Sequence, residues 1–239
     1  MKTDPNRPDP QRVEAWRVSL REAATEVQGL VHARANYERF AALVRSNDHV
    51  LHGESDFPTH VQRWFVHFAA MAIRRIVEPN DSGDIVSLRS VLDEMIRAAR
   101  AFTSKEISDL FDAPDGLSRY EEAFSQFLIS DMWSEFGDPT SPQEQLNARM
   151  IKNDRRMLDA VSREITDMVD KRIAHHTTRK DDYDLFYAEL SACIDVIEAI
   201  SLRYYRSLMG ASQSTFVPTD QFNWLDIFAE DWLYGKVSL

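Results

Sequence analysis

The sequence predicts an all-α protein, and three observations lead to this prediction. Apolar residues recur at spacings of three and four along most of the chain, which is the pattern of amphipathic helices. Stretches in which β-branched residues alternate with polar ones, the pattern of half-buried strands, are hard to find. Several segments begin or end with the Ser, Pro and Gly residues that favour helix termini.

Two helices are predicted in the first third of the chain. An apolar stripe that begins with Val13 predicts a helix over 11–45, with Gly29 as the expected place of any break. A loop follows, and a second helix is predicted over 59–77 because Pro79 cannot continue it. The side chains of this helix that we expect in the core are Trp64, Phe65, Phe68, Met71, Ala72 and Ile76.

The middle of the chain carries three further start signals. Ser87 is the expected N-cap of a third helix, and a Phe-rich helix is predicted over 118–136. Ser141, Pro142 and Glu144 have the spacing of a capping box, with Pro at the first helical position. Since no Gly or Pro follows until well beyond His176, we expect one helix of about 35 residues, or roughly 50 Å.

The last part of the chain predicts two more helices. One covers 181–209 and is capped by Gly210, and Pro218 opens a final aromatic helix. We expect the aromatic stretch 216–232 to close the core, with a dimer surface or a partner groove as the alternative.

The composition is that of a single cytoplasmic domain. We expect a flexible, proline-rich segment over 1–10 and one helical domain over 11–239. Cys193 is the only cysteine and lies in an apolar run, so no intramolecular disulfide forms and a reducing compartment is favoured. The N-terminal residues do not have the pattern of a secretory signal, and no stretch is apolar enough to predict a membrane span.

The charge is distributed unevenly. The net charge of −11 argues against a nucleic-acid binder that relies on bulk electrostatics. Residues 149–180, however, contain nine basic and five acidic side chains, a local net charge of +4. Any binding of a polyanion is therefore expected within this stretch.

This basic stretch ends in the segment 169–176, Val-Asp-Lys-Arg-Ile-Ala-His-His. If an α-helix persists through it, Lys171 and His175 lie four residues apart, as do Arg172 and His176, so all four can face one cleft. A His that exchanges a proton near neutral pH, beside a cation that holds a phosphate, supplies what a metal-free ribonuclease needs. The plain alternative is that the cations are solvated and the His residues complete a helix end.

Four segments carry a resemblance to a known family: Asp170-Lys171-Arg172-Ile173-Ala174-His175, Trp64-Phe65, residues 73–78 and the aromatic residues of 224–232. Together they resemble the abortive-infection (AbiU-like) branch of the HEPN domain superfamily. The resemblance implies an antiparallel helical bundle with appended helices. It also implies a metal-independent endoribonuclease in prokaryotic defence or a toxin–antitoxin system, acting as a homodimer and opposed by a cognate antitoxin. The implied catalytic residues are His175 as general acid or base, Arg172 and Lys171 on the phosphate, and His176 in support.

The sequence departs from the family at the arginine of the motif, which lies four to six residues before its His. Counted back from His175, that position falls most naturally at Val169. Either Arg172 or Lys171 replaces the arginine, or the chain is an inactive HEPN module that binds RNA, a nucleotide or a partner protein. A helical scaffold whose acidic surface meets a basic partner is the third hypothesis.

We expect neither a metal nor a cofactor. His49, His52 and Glu54, and the pair His60 and His67, contain metal-ligating side chains, but no Glu-x-x-His pair of a helical-bundle metal site occurs. His60 and His67 are predicted on a helix surface or partly in the core. The adjacent Tyr204, Tyr205 and Arg206 are predicted to pack in the ordinary way rather than to stack on a base.

Overall fold

Within the residues that it describes, the computed structural model contains five α-helices of eleven or more residues and one π-helical segment. The helices are α1 (Pro10–Ser46), α2 (Phe57–Ile76), α3 (Leu88–Ala98), α4 (Ala148–Met168) and α5 (Tyr187–Met209), and the π segment Val169–Ala174 continues α4. The residues that the structure describes are 10–46, 56–80, 83–100, 102–103, 130, 134–141, 145–174, 187–209, 211, 213–217 and 219. Within them no strand occurs, only two isolated β-bridges, so the all-α prediction is confirmed.

Helix α1 is the long element against which the others pack. It runs unbroken through Gly29 and agrees with its predicted range to within a residue at either end. Its buried stripe includes Trp16, whose ring packs on Phe102 with centroids 4.8 Å apart. The same helix contacts α2, α3 and α5, so its apolar face forms much of the core. None of the helices within the described ranges combines the length and apolarity needed to cross a bilayer.

Helix α2 buries only part of its apolar surface. Phe65, Ala72 and Ile76 are in the core as predicted, whereas the prediction for Trp64 and Phe68 is wrong because their side chains are 63% and 45% exposed. The apolar residues of α2 cover a wider arc than the other described helices bury. Trp64 and Phe68 are therefore left on the outer flank, beside α1.

Helix α3 begins where the sequence predicts. The Ser87 hydroxyl accepts a hydrogen bond from the Ser90 amide and the Ser90 hydroxyl accepts one from the Ser87 amide, both at 3.0 Å. Ser87 Oγ also donates to the carbonyl of Glu78 at 2.6 Å. The N-cap thus ties the start of α3 to the end of α2.

The predicted N-cap of α4 at Ser141 is wrong, since the helix begins six residues later than predicted, at Ala148. Its N-cap is Asn147, whose side chain accepts a hydrogen bond from the Met150 amide. The physical reason is that the preceding backbone pairs elsewhere. The Leu146 amide donates to the Phe102 carbonyl at 3.2 Å, and the Asn147 amide donates to the Phe136 carbonyl at 2.7 Å.

Several predicted elements lie partly or wholly outside the described residues. Of the helix predicted over 118–136, residues 130 and 134–136 are described and are helical. Helix α5 is described from Tyr187 and ends at Met209, as predicted. Gly210 and the final aromatic helix lie outside the described residues.

A buried carboxylate joins α4 to α5. Asp154 is 2% exposed, and both of its oxygens accept from Nη1 of Arg203 at 2.7 Å. The Tyr204 hydroxyl donates to the same carboxylate at 2.9 Å, and the Tyr204 ring packs on Phe136. Burial, and then the charge of Asp154, raise the pKa of Tyr204, which therefore stays protonated. The predicted packing role of Tyr204 is confirmed.

A second polar cluster joins α1, α5 and the chain that follows α5. Arg34 of α1 forms ion pairs with Asp195 and Glu198 of α5. Glu198 Oε1 also accepts from the Thr215 hydroxyl at 2.6 Å and from the Phe216 amide at 2.8 Å. The chain after Met209 therefore turns back along α5.

Cys193 of α5 is 1% exposed, and burial raises the pKa of its thiol to about 12. A thiol that is both inaccessible and protonated does not react with oxidants or alkylating reagents in the folded protein.

Replacing Asp154 tests the link between α4 and α5. We expect Asp154→Ala to lower the free energy of unfolding by about 3–5 kcal/mol, because it leaves the partly buried Arg203 without its principal partner. Urea denaturation followed by circular dichroism measures the change. The control is Asp167→Ala, an exposed acid on the same helix, for which we expect a change within about 0.5 kcal/mol. Equal effects of the two substitutions would contradict a stabilising role for the buried pair.

Candidate functional site

The predicted catalytic motif begins directly after α4, and the type of helix changes where the two meet. Helix α4 ends at Met168, and residues 169–174 form a π-helix, which closes hydrogen bonds between residues five apart. The π geometry replaces the expected α-helix up to Ala174, and the prediction that Lys171, Arg172, His175 and His176 share a face stays a prediction. His175 and His176 lie outside the described residues, as does the side chain of Arg172. Lys171 is exposed, with its Nζ 4.0 Å from Asp167 Oδ2.

Val169 faces the core. Its side chain is fully buried at 0% exposure, whereas its neighbours Asp170 and Lys171 are exposed. An arginine at position 169 would carry its charge into the packed interface of α4 with its neighbours. A cation of this segment that contacts a ligand must therefore come from another position. Among the described side chains of the segment, Lys171 is the exposed cation.

Asp170 anchors the π segment to α2. Its carboxylate accepts from Nε of Arg74 at 2.8 Å, while Nη1 of Arg74 lies 2.8 Å from Glu78. These hydrogen bonds, with Asp170 first, raise the pKa of Arg74. The start of the motif is thereby fixed against the last turn of α2.

A polar cleft of about 350 Å³ lies beside this ion pair, between α2, α3 and α4. Arg89 on its wall is held by Asp159 at 3.3 Å. Arg163 also lines the cleft, is exposed, and makes no ion pair with any described residue. The charged and hydroxyl side chains that line the cleft are Arg74, Glu78, Arg89, Asp159, Ser162, Arg163, Thr166 and Asp170.

The exposed side of α4 carries a row of cations, here called the basic stripe: Arg149, Lys152, Arg156 and Arg163. Their spacings of 3, 4 and 7 residues, at 100° per residue, place all four within an arc of about 60°. All four are exposed, and the row extends for about 21 Å before it reaches the cleft. Lys152, Arg156 and Arg163 make no ion pair within the described part of the chain.

Some of the other charged residues of this stretch are paired at helix contacts. Asp154 pairs with Arg203, and Arg155 pairs with Asp93 of α3 at 3.0 Å and with Asp159 at 3.5 Å. Asp167 is exposed on the same face as the basic stripe, one turn after Arg163, so the continuous row of cations ends at Arg163. The i, i+3, i+7, i+14 spacing of these four cations in the sequence indicates the basic stripe. A count of charges over 149–180 does not show which cations share a face.

Of the remaining sequence candidates, His49, His52 and Glu54 lie outside the described residues. His60 and His67 are both exposed on α2, in agreement with the surface alternative. Among the described residues, no group of three or more His, Cys, Asp or Glu side chains converges in a way that could hold a metal ion. Tyr205 packs edge-on against Phe216.

Comparison of the chain with protein-family models, with curated proteins and with solved structures finds no match in any of the three.

Substitution of Val169 tests its core position. We expect Val169→Arg to destabilise the fold by about 3 kcal/mol or more, because it removes a buried apolar side chain and forces a cation toward the core. The matched control is Asp167→Arg, an exposed position two residues earlier, with an expected change of about 0.5 kcal/mol or less. The midpoints of urea unfolding compare them. A Val169→Arg protein as stable as the control would show that position 169 faces solvent.

Proposed function

We propose that this chain is a HEPN-type RNA-binding protein and a metal-independent endoribonuclease, in the prokaryotic defence or toxin–antitoxin setting that its sequence resemblance implies. The observation that carries the proposal is the basic stripe on α4, which leads directly into the segment 169–176.

The basic stripe suits a nucleic-acid backbone better than a single small anion. Lys152 and Arg156 lie about 6 Å apart along the helix axis, and Arg163 follows about 10 Å further on. Cations repeated over such a length can contact successive phosphates of one strand. Asp154 and Asp159 of the same stretch are paired at helix contacts, whereas Glu164 and Asp167 are exposed toward its end. The attraction for a polyanion is therefore strongest over Arg149, Lys152 and Arg156, despite the net charge of −11.

The proposed reaction needs no metal at the scissile phosphate. His175 removes the proton of the ribose 2′-hydroxyl, whose oxygen attacks the adjacent phosphorus and displaces the 5′-oxygen of the next nucleotide. Lys171 and Arg172 stabilise the charge that develops on the phosphate oxygens, and His176 supports the proton transfers. Arg163, at the mouth of the cleft, holds a neighbouring phosphate of the same strand.

A second candidate function is binding of RNA without turnover. The burial of Val169 favours it, because the position that carries an arginine in active relatives of this type cannot present a cation here. Lys171 is a point charge without the planar fork of arginine, so it is a weaker replacement. In this alternative the basic stripe still binds RNA, and the segment 169–176 contributes only to binding and not to cleavage.

The partners follow from the same resemblance. We propose a cytoplasmic homodimer in which the motifs of two copies line one cleft, and a cognate antitoxin protein that restrains it. The measurement of mass in solution by light scattering tests the dimer.

Neutralising the basic stripe tests RNA binding. We expect the triple variant Lys152→Gln, Arg156→Gln, Arg163→Gln to bind single-stranded RNA at least about tenfold more weakly. Its slope of log K against log salt should be smaller by about 2, since each lost phosphate contact removes about 0.7. Fluorescence anisotropy of a labelled oligonucleotide measures both quantities.

The matched control for this experiment replaces three exposed arginines that lie outside α4, Arg21, Arg97 and Arg100, by Gln. The control removes the same charge and should bind almost as the natural chain does. Equal losses in the two triple variants would show that net charge, rather than the stripe, governs binding.

Cleavage separates the two candidate functions. In the presence of a chelator, we expect the natural chain to cut RNA and His175→Ala to reduce the rate by about 10²-fold or more, the contribution of a general base. RNA that is bound but remains intact with the natural chain would support the second candidate. Cleavage that is unchanged in His175→Ala would contradict the assignment of this residue.

A further inference from the structure

A second cleft, on the opposite part of the bundle, is almost entirely apolar. It lies between the C-terminal half of α1 and the N-terminal half of α2, with a volume of about 350 Å³. We call it the aromatic groove, and its aromatic walls are formed by Tyr37, Phe40, Phe57, Trp64, Phe65 and Phe68. Trp64, Phe57 and Phe68 are among the most exposed large apolar side chains of the described residues. A contiguous exposed patch of this kind is typical of a binding surface.

The walls of the groove are ordered by ring packing. Tyr37 stacks on Phe65 with ring centroids 4.5 Å apart and planes inclined by 4°, and both rings contact Tyr187 at the start of α5. The groove therefore sits at the end of the bundle where α5 begins. It is preformed in the folded chain rather than created by rearrangement of flexible side chains.

The helix faces that border the groove carry basic and imidazole side chains. On α1, His32 and Arg39 lie beside the groove-lining positions by helical spacing, and on α2, His60 and His67 lie beside Trp64. The His60 ring packs on Trp64 with centroids 6.3 Å apart. Glu38, whose carboxylate accepts from the Tyr187 hydroxyl, and Asp56, at the N-cap of α2, lie near the same groove, so its border carries charges of both signs.

The sequence after the described residues contains a run of apolar side chains that matches the apolar character of the groove. Residues 220–239 contain six large aromatic or aliphatic side chains between 222 and 232, together with four acids and one lysine. Those apolar residues are Phe222, Trp224, Leu225, Ile227, Phe228 and Trp232, and the acids are Asp220, Asp226, Glu230 and Asp231.

The path of the chain leads toward the groove. Phe216 is held by Glu198, which also contacts Arg34 of α1. Glu198 lies eleven residues, or about 16 Å, from Tyr187 along α5, and Tyr187 borders the ring cluster of the groove. Extended chain covers about 3.3 Å per residue, so roughly five to eight residues beyond Val217 reach the groove. Most of the acidic aromatic segment remains available to occupy it.

We propose that residues 220–239 of this chain bind in the aromatic groove of the same molecule, with their aromatic side chains on Trp64 and Phe68.

Disulfide trapping in the full-length protein tests this. One variant carries His60→Cys at the groove and Ala229→Cys in the segment, and another carries Arg97→Cys on α3 with the same Ala229→Cys. Arg97 borders a surface cavity with Arg12, near the far end of α1. Buried Cys193 does not compete for the oxidant. With oxidised glutathione, we expect the groove pair to form an intramolecular disulfide about tenfold faster than the α3 pair, because docking raises the effective concentration.

A further variant adds Trp64→Ser and Phe68→Ser to the groove pair. Both side chains are largely exposed, so the fold should persist, and urea unfolding checks that it does. We expect the trapping rate to fall to that of the α3 pair. Equal rates for the two pairs, an unchanged rate in the Ser variant, or a disulfide that forms only between two molecules would each overturn the proposal, the last in favour of a second copy as the occupant.

Discussion

The buried carboxylate of Asp154 is the interaction on which the geometry of the site depends. An ionised group this deep is tolerated only because Arg203 and Tyr204 satisfy it, and this requirement fixes the rotation of α4 against α5. At 100° per residue, Asp154 lies roughly opposite the centre of the basic stripe. Because the face of α4 that carries Asp154 packs inward, Lys152 and Arg156 on the opposite face lie at the surface. The surface that we propose for RNA is a direct consequence of a contact in the core.

The same division of charge explains how an acidic chain presents a cationic surface. Asp93 and Asp159 bind Arg89 and Arg155 where α3 meets α4, so these acids stabilise packing instead of shielding the stripe. A net charge of −11 describes the whole chain and says little about one helix face. Association with a polyanion depends on the local field, which falls off within about 10 Å at ordinary salt concentrations.

The sequence predicted those features that depend on neighbouring residues alone. The cap at Ser87 is such a case, because both partners of its reciprocal hydrogen bonds lie within four residues. Ser141 has an equally good local pattern, but the backbone that follows it pairs with segments near Phe102 and Phe136, which no local pattern contains. Trp64 illustrates the other limit. Helical spacing shows that it shares a face with apolar residues, but not whether a neighbouring element covers that face.

The π segment affects how the chain tolerates a change in the number of residues between 169 and 174. A π turn holds more residues than an α turn of the same span, and it resembles an α-helix that has accepted an additional residue. Loss of one residue between 169 and 174 would let the segment close ordinary α-helical hydrogen bonds between residues four apart. An insertion or a deletion there is therefore a larger change than a substitution, because it alters the type of helix rather than a single side chain.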